Sequence, residues 1–330
     1  MPRVAAATPK PYLARLYITQ DIPLGAKRES VEADGQQVGG SRPERRYSIT
    51  LGRFTVTDFF DNNRYTHDPR TQFMAWAVMY NGAWDYPADT RGYTWGWVHE
   101  LHMKRWSLRY ASAAEPRTAN GLRFDRRLLV DRGDVVEGEL RATPGGHAGA
   151  VRALAYFNHT DSGHYADALQ LSPPDVAAVH KAGTLKYGFG LNVEQELSKE
   201  IGVFGRLGWN DGKTQSFAFA VIDRLASAGV SVSGALWKRA KDTAATALTV
   251  TGISGVHGLY LARGGNDFMI GDGALRRGPE YTSETYYSAR LSPGFFATAD
   301  LQYIGNPAYN RDRGPVVVGT LRLHFEWTLH

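Results

Sequence analysis

The 330-residue sequence contains no cysteine, which excludes a disulfide scaffold, a cysteine-based zinc site and a thiol nucleophile. It has no stretch of the roughly 20 apolar residues that a membrane-spanning helix needs, so a helical membrane protein is excluded as well. No run of five or more Lys and Arg residues is present, and binding of nucleic acid through a basic arm is therefore not expected. Charged residues make up 22% and hydrophobic residues 43% of the chain, which excludes global disorder.

The N-terminal residues 1–10 lack the apolar segment of a secretory signal peptide and are expected to form a tail. By this feature alone, the chain is either cytoplasmic or lacks its true start. The formal net charge of +5 is a small excess over this length. It fits either ordinary solubility or a site for polyanions or polar ligands.

Alternation of apolar and polar residues, typical of β-strands, is widespread, whereas helical periodicity is scarce. Around Leu185, apolar side chains such as Tyr187 occupy one face of the predicted strand and Lys186 the other. Turn-rich pieces such as 210–212 separate many of the strands, which indicates an antiparallel meander. About fourteen strands are predicted. The clear ones are near 185–194, 281–290, 295–303 and 321–327, and the weaker ones near 11–18, 46–55, 93–103, 104–112, 134–142, 148–158, 200–209, 214–222, 228–237 and 246–254.

A soluble sandwich and a membrane barrel both produce this alternation, and three features favour the barrel. Several strands reach about ten residues, the length that crosses a bilayer at a tilt, whereas soluble strands average nearer six. Aromatic residues lie near strand ends, as a membrane-interface girdle requires, and the polar faces suit a water-filled lumen. Longer polar segments interrupt the meander, as the loops on one side of a transmembrane barrel do, at 21–45, 57–92, 113–133, 159–183 and 255–279.

The segment from Gly52 to Gly96 has the most unusual composition, because Asp, Arg and Asn residues are interleaved with tryptophans and tyrosines. Such a mixture is costly to bury unpaired, so we expect it to line water or to form a paired network. Aromatic faces beside polar groups also suit a sugar, whose C–H face stacks on a ring while its hydroxyls take polar partners.

The sequence of residues 49–96 resembles the signature region of the carbohydrate-selective porins, the OprB-like family. It reads ITLGRFTVTDFFDNNRYTHDPRTQFMAWAVMYNGAWDYPADTRGYTWG. Further similarity lies at 204–223, at 271–288 and at 304–327, so the resemblance covers nearly the whole chain. It implies a single all-β domain over 1–330, an antiparallel outer-membrane barrel of about sixteen strands, of which about fourteen are present here. It also implies an inward-folded loop that narrows the pore, in the region 57–92.

The resemblance suggests Asp58–Gln72 as this constriction loop and supplies candidate residues that meet the sugar. An alternative interpretation is that Asp58, Asp61 and Arg64 only pair to hold the loop. The tryptophans among the candidates are either sugar-stacking rings or girdle residues. The main constriction candidates are Arg64, Asp68, Arg70 and Gln72, the secondary ones are Arg53, Asp58, Asp61 and Asn63, and Arg91, Trp76, Trp84, Trp95 and Trp97 complete the set.

Two departures from the family pattern concern the chain ends. The sequence opens almost at a strand, so we expect the family's first strands to be missing and Pro11–Ile18 not to be the first strand. An unpaired edge in hydrocarbon costs several kcal/mol per orphaned group, which is why a fragment or misplaced start is expected. At the other end, three residues follow Trp327, which takes the place of the family's terminal aromatic.

Enzymatic interpretations are weaker. Asp58 and Asp61 form a carboxylate pair of the kind that hydrolyses glycosides, but a loop-capping role fits their spacing better. No Gly-x-Ser-x-Gly elbow is present, and His99 and His102 lack the spacing of a zinc protease. We therefore expect no catalytic residue, metal or cofactor.

Two hypotheses remain. The first is a bacterial outer-membrane porin for the facilitated diffusion of mono- or oligosaccharides, monomeric or trimeric, in contact with lipid and assembled by the barrel-assembly machinery. The second is a soluble or surface β-protein that binds sugar without conducting.

Overall fold

A computed structural model describes residues 11–32, 39–217 and 221–326. Within these residues fifteen β-strands form most of the regular structure, and thirteen of them join in one antiparallel sheet. The strands are β1 (Leu16–Pro23), β2 (Arg28–Val31), β3 (Gly40–Pro43), β4 (Arg46–Phe54), β5 (Thr94–His102), β6 (Trp106–Ala114), β7 (Arg132–Ala142), β8 (Gly149–Ser162), β9 (Lys181–Glu196), β10 (Ile201–Asn210), β11 (Arg224–Ser233), β12 (Thr243–Gly252), β13 (Glu280–Ser292), β14 (Phe295–Gly305) and β15 (Val316–Phe325).

The large sheet is a meander in which each strand pairs with its neighbours along the chain, except that β1 pairs directly with β4. The strands β2 and β3 form a separate hairpin between them. β1 and β15 are the two end strands of the sheet. The antiparallel all-β architecture predicted from the alternation and the turns is therefore confirmed.

Connections between the strands alternate in length, which gives the sheet two different ends. Residues 103–105 join β5 to β6 and residues 293–294 join β13 to β14, at what we call the short-turn end. Residues 55–93 join β4 to β5 and residues 253–279 join β12 to β13, at the long-loop end. One short and one long rim is the arrangement of transmembrane barrels.

The outer face of the sheet is apolar and the inner face is polar. In β7, Leu140 on the outer face is 65% exposed, whereas Glu137 and Glu139 on the inner face are 1% and 5% exposed. Leu248 and Leu321 continue the exposed apolar surface on β12 and β15, at 66% and 72%. A contiguous apolar surface of this extent marks a face that meets lipid or a partner.

The segment 55–93 folds against the inner face of the sheet instead of projecting beyond the rim. Backbone amides of the segment donate to carboxylates on three different strands, so the sheet curves around it. These bonds run from Asp61 N to Glu137 Oε2 on β7 (2.8 Å), from Arg64 N to Glu194 Oε2 on β9 (2.6 Å), and from Ala75 N to Glu284 Oε2 on β13 (2.7 Å).

Two buried apolar clusters fix this segment to the sheet. Its residues Phe60 and Trp84 pack with inner-face side chains of β4–β8, and Phe73 packs with Phe204 on β10 and Tyr286 on β13. Together they pack the segment against inner-face residues of strands between β4 and β13. Space remains beside β1 and β4–β6, where the candidate site lies.

Helices are short. They are α1 (Trp76–Met79) inside the sheet, and α2 (Tyr165–Ala168) and α3 (Gly255–Ala262) in the long loops. In the part of the chain that the structure describes, no helix is long and apolar enough to span a membrane.

Several predicted elements differ from the structure. The described residues of 214–222 are not a strand, because their polar groups bond to loops: Gln215 N donates to Gly163 O and Phe217 N to Asp85 Oδ2. The strand predicted at 228–237 is β11, shifted toward the N-terminus, since Ser233 caps a 3₁₀ turn that begins at Gly234. The hairpin β2–β3 lies in 21–45, which the sequence presented as a loop. The predicted tail 1–10 and Trp327 lie outside the described residues.

Candidate functional site

A cavity of about 1910 Å³ lies between the segment 55–93 and the inner faces of β1, β4, β5 and β6. Its lining reaches from Arg91 and Tyr93 at the long-loop end to Asp21, Arg46 and His102 at the short-turn end. The nine residues of β5 between these ends span about 26 Å, at about 3.3 Å per residue. The cavity therefore extends along the height of the sheet.

Alternating charges cross the inner face from β4 to β9 and form the charged wall of the interior. Arg109 on β6 is its centre, with Nε 2.6 Å from Glu100 Oε2 and Nη1 3.0 Å from Glu137 Oε1. Charges buried in this way need mutual pairing and hydrogen bonds, and each of these has both. The other pairs of the wall are Arg46 with Glu100 (3.5 Å), Arg109 with Glu139 (2.9 Å), Arg152 with Glu139 (3.0 Å) and Arg152 with Glu194 (3.3 Å).

Asp61 is the main anchor of the segment 55–93. Its Oδ1 accepts hydrogen bonds from Arg206 Nε (3.1 Å) and Asn192 Nδ2 (2.7 Å), and its Oδ2 accepts one from Asn81 N (2.7 Å). Asn63 extends this anchor, since its Nδ2 donates to Asn192 Oδ1 over 2.8 Å. Both side chains are buried and are used in contacts that hold the loop.

Three aromatic side chains, Trp76, Tyr80 and Tyr86, border the cavity and are called the aromatic shelf below. Trp76 on α1 is 37% exposed, stacks on Tyr86 at 19° with ring centroids 6.3 Å apart, and lies 5.6 Å from Tyr80. His67 meets the Tyr80 ring edge-on at 5.1 Å. Burial, reinforced by the positive charge of Arg206, lowers the pKa of His67, so this ring is neutral at pH 7. An exposed indole beside neutral polar groups suits the C–H face of a sugar.

Two ion pairs complete the lining on the loop side. Arg15 binds Asp58 in a bidentate pair, with both N–O distances at 2.7 Å. Asp68 binds Arg70 within the loop itself, and Arg70 keeps 58% of its side chain exposed. Burial raises the pKa of Asp68, but the hydrogen bonds from Arg70 outweigh it and hold that pKa below its usual range. The cavity therefore carries fixed charges of both signs.

The structure places five of the predicted site residues in the cavity lining. Other predicted residues hold the loop: Gln72 accepts His67 N (2.7 Å) and donates to Arg64 O (2.7 Å), and Arg64 points to Glu196 (3.1 Å). The five lining residues are Asp58, Asp68, Arg70, Trp76 and Arg91.

The remaining predicted residues do not line the cavity. Trp84 is buried in the apolar cluster beside Phe60, at 1% exposure. Trp95 and Trp97 lie on the outer face of β5, 44% and 47% exposed, which favours the girdle interpretation for both. Arg53 pairs with Asp89 (2.7 Å) and its guanidinium lies 5.7 Å from the Trp95 ring.

The sequence did not single out the strand residues that face the cavity. The signal was present in the polar rows of the predicted strands, as in Ser48 and Thr50 on β4 or Glu100 and His102 on β5. The role of Arg15 had no such signal, because its partner Asp58 lies 43 residues away. Among the described residues, no group of three or more His, Asp and Glu residues is arranged to hold a metal ion.

A sheet that is apolar outside and polar inside, wrapped around an inward-folded segment, defines a porin-type channel protein. The chain belongs to the OprB family of carbohydrate-selective porins, whose family model matches residues 5–327. The family predicted from the sequence is thereby confirmed.

A solved structure shows the same fold. The high-pH structure of Pseudomonas putida OprB is similar with a TM-score of 0.67 and 16% identity, over 86% of this chain and 73% of that one. Its low-pH structure gives a TM-score of 0.46 and 13% identity, over 87% and 69%. A search of curated proteins gives no match.

Proposed function

We propose that this protein is a porin of the bacterial outer membrane through which carbohydrates pass by facilitated diffusion. The observation that carries the proposal is the cavity between segment 55–93 and the wall, lined along the height of the sheet by polar and aromatic side chains. Family membership supports a channel for carbohydrates, and the exposed apolar outer face supports contact with lipid.

A sugar would be bound weakly at the aromatic shelf. The exposed Trp76 ring offers a stacking face, and the Asp68–Arg70 pair offers hydrogen-bond acceptors and donors to hydroxyl groups. Binding has to remain weak, because a solute held tightly cannot leave the channel. No energy source is needed for this mechanism, since the solute moves down its own gradient.

In the membrane, the short-turn end would face the periplasm and the long-loop end the outside, as in bacterial barrels generally. The protein would reach this membrane through the barrel-assembly machinery, as a monomer or a trimer. The tryptophans Trp95 and Trp97, on the outer face near the long-loop end, would lie at the outer interface.

Reconstitution in planar bilayers tests the proposal. The purified protein should form steady ion-conducting channels, and added oligosaccharides should reduce the current in a concentration-dependent manner. Liposomes that contain the protein should swell in isotonic sugar, whereas liposomes with heat-denatured protein should not. A protein that stays monodisperse without detergent, binds sugar and shows no conductance would instead be a soluble sugar-binding β-protein.

A further inference from the structure

The hairpin β2–β3 is fastened to the inner side of the wall at the short-turn end. Glu29 on β2 accepts hydrogen bonds from Arg42 Nε on β3 (2.9 Å) and from Arg46 Nη1 at the start of β4 (3.0 Å). Arg46 is 2% exposed, and its Nη2 lies 3.5 Å from Glu100 on the charged inner wall. The hairpin therefore joins the inner charge network and does not extend from the outer face.

The same hairpin lines the cavity. Val31 and the residues 39–42 are part of its boundary, at the end opposite to Arg91 and Tyr93. The Arg42 side chain is 40% exposed, so one edge of its guanidinium bonds to Glu29 while the rest is open to the passage. The guanidinium of Arg42 thus lines the cavity at its short-turn end.

The contact of Glu29 with Arg42 and Arg46 is kept near neutral pH, because Glu29 stays charged there. Partial burial raises the pKa of Glu29, but the hydrogen bond from Arg42 and the charges of Arg42 and Arg46 outweigh it and lower that pKa below its usual range. Glu29 therefore stays ionised where the channel would work.

We propose that the β2–β3 hairpin is a second narrowing of the passage at its short-turn end, held by Glu29, and that Arg42 there favours anions over cations. The inference rests on the proposed function, because a narrowing matters only in a protein that conducts. A cationic group in a confined passage attracts anions and repels cations, and it acts independently of the segment 55–93.

Replacement of the cation tests the selectivity. Arg42→Gln should raise the cation-to-anion permeability ratio about twofold in planar bilayers under a salt gradient. The matched control is Arg45→Gln, which removes an exposed arginine of the same connection that does not line the cavity. Equal ratios for Arg42→Gln, Arg45→Gln and the wild type would overturn the role of Arg42.

Chemical modification tests the narrowing, since the chain has no native cysteine. A sulfonate-bearing thiol reagent on Ser41→Cys should reduce single-channel conductance by about half, because Ser41 lines the passage. The control Thr143→Cys places the thiol in the exposed turn between β7 and β8, outside the cavity, and should leave the conductance unchanged. Complete labelling of Cys at position 41 without any change in conductance would overturn the narrowing.

Hydrogen exchange tests whether Glu29 holds the hairpin, and this test does not depend on conduction. Glu29→Gln should speed amide exchange in β2 and β3 while leaving exchange in β7 unchanged, and equal exchange in both proteins would contradict the holding role of Glu29. A wild type that does not conduct would overturn the proposed function and the narrowing with it. If the wild type conducts, but Arg42→Gln and labelled Ser41→Cys keep its selectivity and conductance, the narrowing is overturned and the proposed function stands.

Discussion

Arg206 Nε on β10 donates to Asp61 Oδ1 in the segment 55–93 over 3.1 Å, and 0% and 4% of the two side chains are exposed. The same guanidinium donates to the backbone carbonyls of Val78 (2.8 Å) and Thr66 (2.9 Å). One arginine on the inner face of β10 thus binds three separated points of the inward-folded segment. These contacts hold the segment against β10.

Asp61→Asn should destabilise the protein by about 3 kcal/mol, because it leaves the buried Arg206 guanidinium without its counter-charge. Urea unfolding in detergent measures this loss. The control Asp312→Asn removes an exposed pair with Arg276 (2.6 Å) and should cost less than about 1 kcal/mol. Equal losses for the two variants would show that Asp61 does not anchor the segment.

Trp76→Ala should weaken sugar block of the ion current about two- to tenfold, because the stacking face disappears while the pore charges stay. The block constant in planar bilayers is the measurement. Trp97→Ala removes an indole of similar exposure from the outer face and should leave the block constant unchanged. If sugar blocks the current through both variants as strongly as through the wild type, Trp76 is not part of the sugar path.

The strand pattern could be predicted because it depends on local alternation, whereas the inward-folded segment was implied by the resemblance of residues 49–96 to the porin family. The outward position of Trp95 could also be predicted, since Trp95, Trp97 and Leu101 lie on the same face of β5. By contrast, the charged wall needs the register between strands. Arg109 meets Glu137 only because β6 and β7 pair with Arg109 opposite Glu137, and a one-residue slip would turn one row outward.

Residues within the segment 55–93 were harder to assign, because a loop has no fixed side-chain period. Asp61 and Asp58 have the same charge and lie three residues apart, yet Asp61 is buried against Arg206, whereas Asp58 lines the cavity and pairs with Arg15. Arg64 and Arg70 differ in the same way, because Arg64 pairs with Glu196 outside the cavity lining, whereas Arg70 lines the cavity. These roles are decided by partners far away in sequence, which composition does not reveal.

Arg70→Gln should raise the cation-to-anion permeability ratio, because it removes an exposed cation from the passage and leaves Asp68 uncompensated. Arg64→Gln is the matched comparison: it removes the same charge from the same loop, but at a site that points to Glu196 outside the cavity lining. Reversal potentials under a salt gradient should change more for Arg70→Gln. A larger change for Arg64→Gln would place the constriction on the other side of the loop.

The long loops should loosen at alkaline pH, because His257 on α3 connects three of them. Its Nδ1 lies 3.0 Å from Asp223, its Nε2 lies 3.5 Å from Asp267, and its ring stacks on Tyr165 at 4.1 Å. Burial alone would lower the pKa of His257, but the hydrogen bond to Asp223 and the negative charges of Asp223 and Asp267 outweigh it and raise that pKa above its usual range.

The sign of this pH dependence follows from the raised pKa of His257. The stabilisation is complete below the unfolded pKa of about 6.5 and disappears as the pH rises through the folded pKa. The protection of the α3 amides from hydrogen exchange, corrected for the faster intrinsic exchange at higher pH, should therefore be high at pH 6 and lower well above neutrality. The variant His257→Gln, which does not titrate, should lose this dependence between the two pH values, while exchange in β7 serves as the internal reference. If the corrected protection of α3 does not fall as the pH rises, the two carboxylates do not stabilise these loops through a protonated His257 imidazole.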